Sequence, residues 1–109
     1  MITSMGKKIK TIVVSPGGEW SVREVHAGLK PMQELVGGYV ELVPLGCGIC
    51  ALCNEEGKVC GLPLSFCAGN LVLVGTVCIC RYEGGSWKSL RDNDIELYSN
   101  ILGRDKRKC

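Results

Sequence analysis

"CGICALCNEEGKVCG", residues 47–61, decides the fold, because it admits two incompatible readings. Four cysteines stand in it, three of them spaced by two, as in the thiolate run of a bacterial iron–sulfur box. Alternatively, "ICALC" is a β-strand that carries thiols and "NEEGK" is the turn that ends it. The cluster signature needs a fourth cysteine three residues on, followed by proline; here six residues separate Cys53 from Cys60, and Gly61 follows. A zinc site would need Cys47/Cys50 and Cys53/Cys60 to close around one ion. In an extended strand, positions 50 and 53 point to opposite faces. Redox Cys-x-x-Cys pairs open a helix, and nothing helical follows Cys50. The strand reading therefore leads, with buried structural thiols and no metal or cofactor, and a cysteine zinc-binding module stands as an alternative.

Working outward, "IKTIVV" (9–14) reads as a strand stopped by "SPGG", whose Pro16 and Gly17 suit the central positions of a type II turn. "EWSVREVH" returns as a second strand. "LKPMQELV" (29–36) places Leu29, Met32, Leu35 and Val36 on one helical face, with Pro31 in the first turn and Gly37-Gly38 as the stop. "YVELVPL" and "ICALC" are two more β-rich runs, and Gly57 is expected at a left-handed position in the turn after them. "LVLVGTVCICRY" (71–82) is apolar at both parities, as in a central strand covered on both faces, and Cys78 and Cys80 share one side of it. "SLRDNDIELYSNIL" is helical, with Ser89 or Asp92 as its cap and acids in the first turn. The expected fold is α+β: a small, mainly antiparallel sheet of about five strands with two helices. A flexible N-terminus (1–8), one domain (9–103) and a basic tail (104–109) complete the chain.

With 109 residues, of which 46% are hydrophobic and 22% charged, the chain is long enough for one modest core and too apolar for disorder. No run approaches the roughly 18 apolar residues of a membrane span. The N-terminus lacks the apolar stretch of a secretory signal, so a cytoplasmic location is expected and the eight cysteines are expected as thiols or metal ligands rather than disulfides. The net charge of +2 conceals an asymmetry: between residues 11 and 103, six cationic side chains face ten carboxylates. That acidic body is a poor partner for a nucleic-acid backbone. His26 has no evident triad partner and no serine or cysteine sits in a nucleophile elbow, so no catalytic residue is assigned and an enzyme is not expected.

The segments "IVVSPGGEWSVREV", "MQELVGGYVELVPL", "CNEEGKVCGLP", "VGTVCI" and "SLRDNDIELY" resemble the domain of unknown function 3846 family, small proteins frequent in bacteriophages, plasmids and gut Firmicutes. That family does not require the cysteines, which agrees with the structural reading of the thiols. Its motifs fall here on Pro16, Gly17, Gly18, Gln33, Gly37, Gly38, Glu41, Asn54, Glu55, Gly57 and Lys58. Where the family commonly has Leu-Pro-x-Asn, this chain has "LPLS", with Ser65 in place of the asparagine.

An acid such as Glu41, half-buried in an apolar strand, needs polar neighbours. Gln33, Asn54 and Lys58 are the expected ones, either as a structural bracket or as a ligand-reading cluster. Trp20, Trp87 and Tyr82 are candidates to stack on a base. The expected ligand-binding set is Gln33, Glu41, Asn54, Lys58, Trp20 and Ser65. By analogy with the family's setting, the chain is expected to be a non-enzymatic binding protein of phage type in a bacterial host. It would sequester a small nucleotide-like immune signal in a site shared between protomers of a homo-oligomer. The alternative is a protein-interaction or nucleic-acid accessory factor that uses an edge strand and the basic tail.

Overall fold

In the computed structural model, which describes residues 7–68 and 71–105, the elements run β1 (Lys8–Val14), β2 (Trp20–His26), α1 (Leu29–Val36), β3 (Val40–Gly46), β4 (Ile49–Asn54), β5 (Leu64–Ala68), β6 (Leu71–Val74), β7 (Val77–Glu83), β8 (Ser86–Lys88) and α2 (Asp92–Asp105). The main sheet is antiparallel throughout, in the order β2-β1-β7-β4-β3, with β8 paired to β7. This is the expected α+β architecture with two helices. A separate two-stranded sheet, β5-β6, was not anticipated.

The long apolar run at 71–82 is not one strand. It breaks at Gly75, whose φ of +74° is a conformation few other residues adopt. A Cβ there would also lie 2.8 Å from the Leu62 side chain. Residues before the break form β6; those after it form β7, which is buried at five successive positions, Val77 to Arg81. The expectation of a strand covered on both faces therefore holds for β7 alone. One cover is α1, over Ile9, Met32, Cys50, Leu52, Cys78 and Cys80. The other comprises β5-β6 and α2, over a larger cluster that includes Ile12, Ala51, Cys53, Phe66, Ile79 and Tyr98.

The type II turn forms as expected, with Gly18 N–H donating to Ser15 O at 2.9 Å, and α1 stops at Gly37 and Gly38, whose N–H groups both donate to Gln33 O. Gly57 departs from expectation: its φ is not positive, and Gly61 holds the left-handed position instead. Gly57 is required for space, since a Cβ would meet Val74 at 2.9 Å. At α2, Asp94 Oδ2 accepts from the Arg91 N–H at 2.8 Å, half of a capping box. Ser89 does not cap α2; its hydroxyl accepts from Lys10 N–H at 2.9 Å. Helix α2 continues to Asp105, past the expected start of the basic tail. Residues 106–109 of that tail, and residues 1–6 of the expected flexible N-terminus, lie outside the described residues.

Arg81 ties three elements together. Its guanidinium donates to Asp94 at 2.8 Å, to Glu83 at 2.9 Å and to the Cys47 carbonyl at 3.0 Å. Burial pushes the Asp94 carboxyl up, but the Arg91 N–H and the Arg81 guanidinium outweigh it and hold it below its usual value.

Candidate functional site

The expected polar bracket is divided by the strand that carries it. Glu41 pairs with Cys53 and Val40 with Asn54 across β3-β4, so Glu41 and Asn54 lie on opposite faces of the sheet. Asn54 turns towards α1, where its Nδ2 donates to the carbonyls of Val36 at 3.5 Å and Gly37 at 3.3 Å. Its Oδ1 accepts from the Glu56 N–H at 2.8 Å. The amide thus holds the end of α1 and starts the following turn, an Asx-type arrangement. Glu41 is exposed, because β3 is a sheet edge, and needs no bracket.

The six expected ligand-binding residues do not share one place, although Glu41, Asn54 and Lys58 line one pocket and Gln33 and Asn54 another. Gln33 shares a shallow 360 Å³ recess with Tyr39, Asn54, Glu56 and Cys60. Glu41 and Lys58, with part of Asn54, line a 220 Å³ pocket floored by Val43, Cys53, Leu71 and Leu73. Burial raises the Cys53 thiol at that floor, Glu41 adds to the rise and Lys58 opposes it, so the two charges flank the sulfur. Ser65 is buried and donates to the Leu73 carbonyl at 3.2 Å, which makes it a strut of the β5-β6 pair. Trp20 packs against the core cluster on the α2 side.

A third cleft, of 520 Å³, went unnoticed in the sequence. It exists because β8 and β1 lie on the same side of β7. β7 pairs with β1 through Val77–Ile79 and with β8 through Arg81–Glu83. The start of β1 is held against the end of β8, with Leu90 N–H donating to Lys10 O at 2.9 Å. Lys7, Lys8 and Lys88 line the opening, with Ile9, Ala27 and Trp87 as apolar walls and no carboxylate among the lining residues. The Trp87 ring is half-buried and tilted against Tyr82, centroids 6.1 Å apart, and its buried indole N–H has no hydrogen-bond partner among the described residues. The lysines were legible only as a basic N-terminus; Trp87 was legible only as a lone aromatic. Their juxtaposition depends on strand pairing.

The description "Domain of unknown function (DUF3846)" matches residues 9–103, nearly the whole described chain. The chain belongs to the DUF3846 family. No curated protein and no solved structure matches it.

In this DUF3846 chain the cysteine run is a strand. Cys50 and Cys53 are buried in the clusters on opposite faces of the sheet, whereas Cys47 and Cys60 are exposed. Thiols on opposite faces cannot converge on one ion while β4 stays extended. Among the described residues six cysteines are free thiols and Cys67 is disulfide-bonded, against the expectation that all eight are free of disulfides.

Electrostatics separates the three openings. The 220 Å³ pocket of this DUF3846 chain carries two carboxylates, Glu41 and Glu55, against Lys58, so a phosphate there would meet net repulsion. It is also below the roughly 300 Å³ of typical ligand sites. The β1-β8 cleft is within that range and purely cationic.

Proposed function

We propose that this DUF3846 chain is a non-enzymatic binding protein that captures a small phosphate-bearing, nucleotide-like ligand, and that it does so for a phage or other mobile element by sequestering a host immune signal. The observation that carries the reading is the β1-β8 cleft. Three lysines without an opposing carboxylate suit phosphates, and the Trp87 ring beside them suits a base. The buried indole N–H has no partner, which costs about 1–3 kcal/mol. A ligand acceptor that reached it would remove that cost. The cleft opens at the surface of a single chain, so a second copy covering it is the form in which a homo-oligomer would contribute.

The test is a thermal-shift screen of the full chain against mono-, di- and cyclic nucleotides, since a ligand at about 100 times its Kd adds roughly 2.7 kcal/mol. A hit whose stabilisation weakens with salt and is lost in Lys8→Ala/Lys88→Ala supports the reading. A screen without hits, or a hit indifferent to both lysines, refutes it. A second reading, protein interaction through an edge strand, is favoured by β2, an unpaired sheet edge that is exposed at four successive positions, Ser21 to Glu24. A partner whose binding is abolished by proline at position 23 would support that reading.

A further inference from the structure

Beneath α1, outside the cleft and the pockets described above, three thiols meet in one buried cluster. The β4-β7 register sets Cys50 directly opposite Cys80, and Cys78 lies two residues further along β7 on the same face. Cys50 and Cys80 are 2% and 0% exposed, and both are free thiols. Directly opposed residues of an antiparallel pair have Cα atoms about 4.5–5.5 Å apart. That separation lies inside the roughly 4.4–6.8 Å that a disulfide spans, and closing the bond needs only that the Cβ atoms, about 4.5–5.5 Å apart in such a pair, draw together to about 3.5–4.5 Å. Cys53, on the other face of β4, has Glu41 and no cysteine opposite it.

Burial alone would make such a pair inert, but access is not equal for the two sulfurs. A recess of 200 Å³ lined by Leu42, Pro44, Ile49 and Tyr82 reaches Cys50 from the surface, and Cys80 is not part of its lining. A small oxidant therefore meets Cys50 first. Contact with Cys80 lowers the Cys50 and Cys78 thiols alike and raises Cys80, so access through the recess is what singles out Cys50.

We propose that Cys50 and Cys80 form an oxidisable dithiol, with Cys50 as the sulfur that a peroxide attacks and Cys80 as the resolving thiol that closes a β4-β7 disulfide. The Cys50 thiolate displaces one oxygen of hydrogen peroxide as hydroxide, which takes up a proton to leave as water, and becomes a sulfenic acid. The Cys80 sulfur then attacks the Cys50 sulfur, forms the S–S bond and expels the hydroxyl, which leaves as water with the Cys80 proton. The two thiols lose two electrons and the peroxide gains them. Trp87, a wall of the cationic cleft, packs on the same cluster, so the new bond forms next to that wall. The inference stands whether or not the cleft binds a nucleotide.

The experiment uses the full chain with Cys47→Ser and Cys60→Ser, which removes the exposed thiols and leaves the cluster intact. After treatment with hydrogen peroxide, non-reducing peptide mapping is expected to give a Cys50–Cys80 cross-link about two mass units lighter than the free peptides and cleaved by dithiothreitol. Adding Cys80→Ser is expected to strand the reaction at Cys50, which dimedone then labels; adding Cys78→Ser is expected to leave the cross-link in place. Recovery of Cys50 and Cys80 as free thiols from folded, peroxide-treated protein would overturn the proposal, and so would a cross-link that joins Cys78 to either. Because the mapping needs no substitution within the cluster, it decides the matter even where the Cys80→Ser chain fails to fold.

Discussion

Glu41 is the cross-strand partner of Cys53, and the carboxylate is exposed while the thiol opposite it is buried. An acid in an apolar run thus sits on the edge strand β3, exposed although Val43, two residues on, packs against the core. Its carboxylate makes no hydrogen bond among the described residues, and replacing it relieves one of the influences that raise the Cys53 thiol. Glu41→Ala is expected to leave stability within about 0.5 kcal/mol of the parent, measured by urea unfolding. A loss of about 2 kcal/mol would show that the carboxylate has a structural partner after all.

Asn54 is expected to behave in the opposite way. Its amide satisfies carbonyls at the end of α1 and the Glu56 N–H of the following turn. Asn54→Ala should cost about 1–2 kcal/mol, because these groups lose their partners in a half-buried site. The same unfolding measurement checks it, and an unchanged midpoint would mean that neighbouring groups take over all three contacts.

The Arg81 hub makes a statement about acid stability. The Asp94 and Glu83 carboxyls are both held below their ordinary values in the folded chain, Glu83 chiefly by its hydrogen bond to Arg81. A depressed folded value favours folding above the unfolded value, about 4 for these groups, and that contribution is lost as pH falls through the folded values. Stability is therefore expected to decline below about pH 4. Asp94→Asn should flatten the decline while lowering stability at pH 7. Parallel urea titrations at pH 7 and pH 3 measure both, and an identical pH dependence in the variant would remove Asp94 from the account.

For the cleft, Lys8→Ala and Lys88→Ala are each expected to weaken phosphate-ligand affinity about 5- to 30-fold, as for the loss of one charge-assisted contact. Each should also reduce the salt sensitivity of binding. Neither lysine is in an ion pair among the described residues, so the unliganded melting temperature should move little. Isothermal titration at two ionic strengths separates these outcomes from simple unfolding.

How much was legible beforehand differs from element to element. The turn at Ser15–Gly18, helix α1 and its glycine stop, and the strand character of "ICALC" follow from local chemistry: a proline and glycines at turn positions, apolar residues at helical spacing, and alternate faces along an extended chain. Local chemistry could not divide 71–82, because what surrounds the break at Gly75 comes from another segment: its N–H donates to Pro63 O at 2.8 Å, and Leu62 leaves no room for a Cβ there. Strand β8 is three residues long and exists by virtue of its pairing with β7, so no period could announce it.

By itself the sequence determined the α+β class, the family, the two helices and the parity that sends Cys50 and Cys53 to opposite faces, since each depends on spacing along one chain. Tertiary structure alone decided which side chains meet. It set Glu41 and Asn54 on opposite faces of the sheet, through their pairing with Cys53 and Val40, yet left both lining one pocket with Lys58. It brought Lys8 beside Lys88, and Cys50 opposite Cys80. The physical reason is that register is a property of two strands at once: hydrogen bonding across β1-β7-β4 selects partners tens of residues apart, and no pattern within either strand records the choice.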